Sequence, residues 1–304
     1  MKLGAIDIGT NSMRLLVADV QDKKLVSREK YINTTRIGQG VDENGYITDE
    51  AMERNIAALY EFSQMCKEKG CEKVRCMGTS ALRDAVNRDV FIEKAREKSG
   101  IKVEVIAGEK EAELGFRGVL MGASAEGNFL ILDIGGGSTE FIFGNNDGII
   151  KSVSIDIGAL RLTEKFRGFE KDAELYSEMI SFIKEKTNDI IEYLRECEVS
   201  TVCGIGGTIT SMSAINQKLE VYSMEKVHQS VITAEDADDI SEMLRHSTEE
   251  DRKSMKGLQP KRADIITAGA VILDTIIKSL DIDRVVVSEY DNLEGLVSEM
   301  IYVD

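Results

Sequence analysis

LDIGGGSTEF, residues 132–141, is the stretch that decides the fold. Apolar residues run into Asp133, three glycines follow, and Ser138, Thr139 and Glu140 lead back into an apolar run. The pattern reads as strand, turn, strand. A hairpin turn needs a residue or two at positive φ. Three successive glycines exceed that need and imply that a ligand or another backbone approaches closely. The same grammar stands at the start of the chain, in AIDIGTNSMRLLV (residues 5–17). Asp7 and Asp133 are 126 residues apart (133 − 7), a domain-sized separation and not the period of a solenoid.

Working outward from the two hairpins, strands are expected over 2–7, 13–20, 24–34, 73–78 and 103–106. Helices are expected over 50–69, from 80, over 89–100 closed by Gly100, and over 108–122. After the second hairpin the expected elements are a strand over 149–156, a long charged helix over 173–196 and a strand over 200–207. An apolar, buried helix over 262–280 follows, then a strand over 284–288 and a closing helix over 292–302. This is a duplicated βββαβα unit. It divides the chain into an α/β domain over 1–124 and a second over 125–290, with residues 291–304 packing back on the first.

Composition excludes several classes of function. The chain has 304 residues, 42% hydrophobic and 30% charged, as in an ordinary globular protein of more than one domain. A net charge of -16 lacks the basic footprint that nucleic-acid binding needs. No signal-peptide layout and no spanning apolar run are present, so a cytoplasmic protein without a membrane partner is expected. Five cysteines without CxxC spacing read as free thiols. Two histidines leave little for a histidine metal site, and any catalytic base is expected to be a carboxylate.

Loops with consecutive backbone N–H groups make anion-binding concavities. Gly9, Thr10, Asn11 and Ser12 form one candidate phosphate loop. Gly135, Gly136, Gly137, Ser138 and Thr139 form the other. Asp7 and Asp133, at strand ends, are candidates to hold a hydrated Mg²⁺. A third glycine turn, Gly206, Gly207 and Thr208, opens a helix whose N-terminus can face another phosphate; a packing turn explains it equally well. Thr79, Ser80 and Arg83 stand together at a further strand-to-helix junction and are candidate phosphate ligands, with Arg83 a phosphate clamp or simply a surface arginine. Glu109, Glu111 and Glu113 begin a helix, where glutamates also favour the helix dipole.

Assembled, these stretches resemble the Ppx/GppA phosphatase family of the actin, sugar-kinase and chaperone-ATPase superfamily. The resemblance rests on AIDIGTNSMRLLV, GTSALRDAVN, AGEKEAELGFRGV, LDIGGGSTEF, DIGALRLTEKF, GIGGTITS and LQPKRADIITAGAVIL, which cover nearly the whole chain. It implies two actin-like (ribonuclease H-like) domains with an active-site cleft between them. It also implies Mg²⁺-dependent hydrolysis of a terminal phosphate from polyphosphate or, alternatively, from guanosine pentaphosphate (pppGpp). Glu111 matches the glutamate that activates water. Asp133 and Glu140 match metal-linked carboxylates, with Glu140 a second catalytic candidate. Asp7, Thr10, Asn11, Ser12 and Arg14 match the first phosphate loop, and Gly135 to Ser138 the second.

One departure stands out: Asn292 and Leu293 occupy the place of a Leu-Arg pair before Glu294 and Gly295. The chain resembles the short family form, which favours exopolyphosphatase, and the expected assembly is a homodimer. Tyr31, Tyr46, Tyr60 and Tyr222 are scattered and tryptophan is absent, so a guanine has few stacking partners. A long polyanion needs a basic path through this acidic protein. Arg36, Arg83, Lys261 and Arg262 are the candidates. The competing readings are a small-molecule kinase and a nucleotide-binding assembly module.

Overall fold

The apolar run after Met1 becomes a strand buried on both faces, and a sheet is built around it. In the computed structural model, residues 1–122 and 127–302 are described. The chain divides into two units, Met1–Met121 with Asp291–Asp304, and Gly122–Tyr290. The expected boundary between residues 124 and 125 lies outside the described residues, as do the last two residues of the chain.

The first unit holds β1 (Lys2–Ile8), β2 (Met13–Gln21), β3 (Lys24–Asn33), α1 (Val41–Asn44), α2 (Asp49–Glu68), β4 (Lys73–Gly78), α3 (Ser80–Asp84), α4 (Arg88–Ser99), β5 (Val103–Val105) and α5 (Gly108–Gly122). The strands form one sheet in the order β3-β2-β1-β4-β5. β1 pairs antiparallel with β2 and parallel with β4. The two-residue period of a strand sends its side chains to opposite faces. Ile6 and Ile8 join Leu59, Phe62 and Phe91 in one core. Leu3 and Ala5 join Leu114, Leu296 and Met300 in the other. Asp7 shares the face of Leu3 and Ala5. Thr48 caps α2 through the Ala51 N–H, and Gly100, at φ 75°, ends α4.

The second unit holds β6 (Phe129–Ile134), β7 (Thr139–Asn145), β8 (Gly148–Ile155), α6 (Ala159–Lys165), α7 (Ala173–Arg195), β9 (Thr201–Ile205), α8 (Gly206–Asn216), α9 (Met224–Val227), β10 (Val231–Thr233), α10 (Ala234–His246), α11 (Glu249–Lys253), α12 (Ile266–Leu280) and β11 (Arg284–Val287). Its sheet runs β8-β7-β6-β9-β11-β10. The first five strands repeat the order and directions of the first unit. β10 is added antiparallel on the edge of β11. Three residues carry too short an alternation to reveal a strand in sequence. The apolar helix starts at Ile266, four residues later than expected, because Pro260–Arg262 forms a separate 3₁₀ turn. From Ile266 to Ile277 every residue of α12 is buried. Among the described residues, no helix is long and apolar enough to cross a membrane.

The closing helix, Asn292–Tyr302, crosses α5 at two glycines. A Cβ on Gly118 would meet the backbone oxygen of Asp291, and one on Gly295 the backbone oxygen of Leu114. Glycine in a helix interior ordinarily costs about 1 kcal/mol relative to alanine. Here the missing Cβ permits the close approach. Gly118→Ala is therefore expected to destabilise by about 1–3 kcal/mol through overpacking. That lowers the melting temperature by roughly 2–4 °C per kcal/mol. A thermal melt of the variant checks this, and a rise in melting temperature would show that the two helices do not touch there.

Candidate active site

Both glycine loops close in the same way. The Gly9 N–H donates to the Ser12 carbonyl at 3.1 Å, and the Gly135 N–H to the Ser138 carbonyl at 3.0 Å. Each loop joins an antiparallel pair whose last rungs are Ile8–Met13 and Ile134–Thr139. The chain that leaves the third strand of each unit then folds back across the loop. In the first unit the Arg36 N–H donates to the Asn11 carbonyl (2.9 Å) and the Gly38 N–H to the Thr10 carbonyl (3.0 Å). In the second, the Ala159 N–H donates to the Gly135 carbonyl, and the Leu160 and Arg161 N–H groups to the Gly136 carbonyl. The Arg161 Nε donates to the Gly137 carbonyl at 2.7 Å.

This strapping fixes what each loop offers. In a trans peptide the N–H points opposite to the C=O, and no cis peptide bond occurs among the described residues. With the carbonyls turned to the straps, the N–H groups of Asn11 and Ser12, and of Gly136, Gly137 and Ser138, point the other way. Successive N–H groups so directed are an anion nest. Glycine is required where the strap comes closest: a Cβ on Gly158 would meet the Gly136 carbonyl. Arg36 adopts the left-handed region at φ 48°, at a cost of about 1–2 kcal/mol for a non-glycine residue. Its neighbour Thr35 is held through its carbonyl by Arg54 Nε (2.6 Å) and Asn55 Nδ2 (3.1 Å).

The first unit gathers charged residues beside its loop. Arg14 donates through Nε and Nη2 to a single oxygen of Asp7, Oδ2, at 3.1 and 2.5 Å. Asp7 Oδ1 has no partner although the residue is 3% exposed, and both polar atoms of the buried Asn11 side chain are likewise unpaired. Buried polar atoms ordinarily find partners, so these three mark a place for a bound group. Burial raises the Asp7 carboxyl above its ordinary value, and Arg14 partly offsets this. Glu111, in the first turn of α5, is 7% exposed, and its Oε2 accepts from Arg83 Nη1 at 2.7 Å. Burial raises its carboxyl too; Arg83 opposes the rise and the nearby Asp7 adds to it. Glu109 is exposed, and Glu113 pairs with Lys110 and Arg117. Of the three glutamates, Glu111 alone is buried beside Asp7.

In the second unit Asp133 and Glu140 face each other across the β6–β7 ladder. Glu140 Oε1 accepts from Ser138 Oγ and Ser154 Oγ, both at 2.7 Å, which braces the loop from behind. Gly206, at φ 83°, leaves room for Asp133, whose carboxylate would meet a Cβ there, and the Arg262 guanidinium lies against Gly207. The Thr139 hydroxyl donates to the Ile157 carbonyl at 2.5 Å, and the Thr208 side chain lies against Gly269. Thr79 and Ser80 are buried at the start of α3, where Ser80 Oγ reaches Asp84 at 3.5 Å and the Thr79 N–H donates to the Ile8 carbonyl.

A family model, the Ppx/GppA phosphatase family, matches residues 16–302. The chain belongs to the Ppx/GppA phosphatase family. It is 35% identical to exopolyphosphatase 2 of Mycobacterium tuberculosis, covering 97% of both chains. It is also 35% identical to a bifunctional 3-dehydroquinate synthase/phosphatase of Fusobacterium nucleatum, covering 97% of this chain but 46% of that one. Against a guanosine-5'-triphosphate,3'-diphosphate pyrophosphatase of Vibrio parahaemolyticus the identity is 30%, over 98% of this chain and 59% of that protein. The chain thus spans about half the length of two of these relatives. An exopolyphosphatase crystal structure from Cytophaga hutchinsonii superposes with a TM-score of 0.91 at 30% identity, over 99% of this chain and 98% of that one. The expected α/β, actin-like fold class is the one the chain adopts.

At the family's Leu-Arg position, Leu293 is fully buried and packs with Leu3 and Leu114. Cations reach Glu294 from β3 instead: Arg28 Nη1 at 2.6 Å and Lys30 Nζ at 3.1 Å. Sequence reasoning missed the straps, which act through backbone N–H groups, and missed Asp291. The latter was findable: Asp291-Asn-Leu-Glu294 before an apolar run is a capping-box pattern. The Leu293 N–H donates to Asp291 and the Asp291 N–H to Glu294, both at 2.9 Å.

The strap over the second loop makes a measurable claim. Gly158→Ala is expected to push the strap off the loop, so the Ala159, Leu160 and Arg161 amides lose protection from hydrogen exchange while those of α12 keep theirs. Unchanged protection at those three amides would refute the strapping.

Proposed function

We propose that this chain is an exopolyphosphatase, releasing the terminal phosphate of inorganic polyphosphate by attack of a water that Glu111 activates. The observation that carries the reading is Glu111 itself, a buried carboxylate with a raised pKa next to the unpaired Asp7 oxygen and an anion nest. A base works best when its pKa lies near the operating pH, and burial moves Glu111 in that direction. The match to exopolyphosphatase 2 over 97% of both chains supports the choice of substrate.

Phosphoryl transfer asks for positioning, charge neutralisation and an oriented nucleophile. The loop N–H groups bind phosphate oxygens. Arg83 aims Glu111 by holding one of its oxygens, leaving the other for the water. The water oxygen bonds to the terminal phosphorus, its proton passes to Glu111, and the bridging P–O bond breaks toward the remaining chain.

A divalent cation fits this donor set. Asp7 Oδ1 is an unpaired hard oxygen, and Asp133 stands at the corresponding strand position of the second unit. Among the described residues no three or more His, Cys, Asp or Glu side chains converge as a cage. Mg²⁺ is commonly bound through one or two carboxylates, water and substrate phosphate. When bound, Mg²⁺ neutralises charge on the phosphate oxygens. Asp7 is proposed as its ligand in the first unit, and Asp133 as the equivalent candidate in the second. Glu140 joins them only through whatever capacity Ser138 and Ser154 leave it.

One observation favours pppGpp as a second reading. Tyr222 is 36% exposed as a residue. Its hydroxyl donates to Glu289, and Arg262 and Thr210 of α8 are near it. An aromatic face at the third glycine turn suits a base. Phosphate release from polyphosphate, pppGpp and ATP under matched Mg²⁺ decides between the readings: polyphosphate is expected to show the highest kcat/KM. A higher value for pppGpp transfers the same chemistry to that substrate, and release from none of the three rejects the proposal. A cytoplasmic homodimer remains the proposed setting.

Two outcomes follow for Glu111. Glu111→Gln is expected to cut kcat by about 10²–10⁴-fold with little change in substrate Kd by calorimetry. The wild-type kcat/KM profile is expected to fall on the acid side through an apparent pKa above the ordinary glutamate value of 4.5. The base is active only when ionised, so activity rises with pH through that limb. A limb at or below 4.5, or near-normal turnover of the glutamine variant, would remove Glu111 from the mechanism.

A further inference from the structure

An arginine beside one carboxylate ordinarily grips both of its oxygens with two parallel N–H groups. Arg14 does not. Nε and Nη2 both meet Asp7 Oδ2, and Oδ1 stays unpaired in a buried site. The remaining nitrogen, Nη1, donates to Asp291 Oδ2 at 2.7 Å. The guanidinium is thus strung between two carboxylates, and the pull of the second turns its fork off one oxygen of the first.

Asp291 is built to hold that position. The N–H of Leu293 fixes its Oδ1, and Lys30 Nζ lies 3.2 Å from its Oδ2. Glu294 accepts from the Asp291 backbone and is gripped by Arg28 and Lys30. Asp291, like Asp7 and Glu294, is buried. Arg14 and Lys30 together hold its carboxyl well below the usual carboxylate range despite burial. It is therefore a fixed anion at the start of the closing helix.

We propose that Asp291 is a positioning residue for the divalent-cation ligand of this site. By anchoring Arg14 it keeps Asp7 Oδ1 open to a metal ion or to its bound water. The inference rests on the phosphatase reading given above. Without Asp291 the Arg14 fork swings onto both oxygens of Asp7 and competes with the cation. Glu294 belongs to the same network and caps the same helix, but the contacts with Arg14 are made by Asp291. It separates positioning from a merely structural role.

The test is titration of the metal-free protein with Mn²⁺, followed by the electron paramagnetic resonance signal of free Mn²⁺. Melting temperatures and wild-type phosphate release from polyphosphate and pppGpp are measured in parallel. Asp291→Asn is expected to weaken Mn²⁺ binding about tenfold and to raise the half-saturating Mg²⁺ for turnover by a similar factor. Its kcat should recover at saturating Mg²⁺. Glu294→Gln is expected to lower the melting temperature comparably but to shift Mn²⁺ affinity less than twofold. If Asp291→Asn fails to fold, Arg14→Lys decides: a lysine cannot bridge both carboxylates, and its Mn²⁺ affinity should change. Wild-type affinity in Asp291→Asn or in Arg14→Lys, an equal loss in Glu294→Gln, or no Mn²⁺ binding by the wild type would overturn the proposal. Absence of phosphate release by the wild type would instead reject the phosphatase reading.

Discussion

The carbonyl oxygens of the two glycine loops are tied back by the chain that follows the third strand of each unit, and most of the site depends on that constraint. A loop of small residues between two strands is free to turn its peptides either way, and an anion nest needs them all turned one way. The N–H groups of Arg36 and Gly38 enforce this in the first unit. Those of Ala159, Leu160 and Arg161 enforce it in the second. Nothing is asked of the loop side chains for this purpose, which leaves Asn11 unpaired and Ser138 able to brace Glu140. A preorganised nest does not have to reorganise when charge develops on phosphate oxygens, and preorganisation of that kind is usually the largest electrostatic contribution to catalysis.

Charge burial is the second constraint. Asp7, Glu111, Asp291 and Glu294 all sit below 8% exposure. Each ionised side chain taken from water costs several kcal/mol unless it is paired. Arg14, Arg28, Lys30 and Arg83 supply the pairing, yet the pairing at Asp7 stops at one of its two oxygens. A chain selected for stability alone would have no reason to leave the other oxygen unpaired. The same burial that makes Glu111 costly to ionise raises its pKa, which suits it to accept a proton.

The sequence displayed the fold to the extent that side-chain period displays it. β1, β2, β4, β6 and β7 are apolar runs long enough to be read, and the echo of the two hairpins announced two sheets with one strand order. β10 was hidden because three residues carry no period, and the start of α12 because Pro260 opens a separate turn. At the site, Glu111 and Asp7 were legible as residue types at particular offsets. The straps were not, because backbone N–H groups leave no signature; only Gly158 and Gly38 hint at a close approach. Thr139 and Thr208 looked like phosphate ligands; the Thr139 hydroxyl donates to the Ile157 carbonyl, and the Thr208 side chain lies against Gly269. A hydroxyl beside a glycine loop does not reveal which way it points. Leu293 looked like a missing function. In the structure it is core, with β3 delivering the cations to Glu294.

The most direct measurement is a titration of isotopically labelled protein with tripolyphosphate, observed through backbone amide resonances. If the strapped loops are the phosphate sites, the amides of Asn11, Ser12, Gly136, Gly137 and Ser138 shift together and saturably. The amides of Arg36, Gly38, Ala159 and Leu160, already committed to loop carbonyls, move far less. Saturable shifts confined to other parts of the chain, with the five loop amides unmoved, would contradict the account.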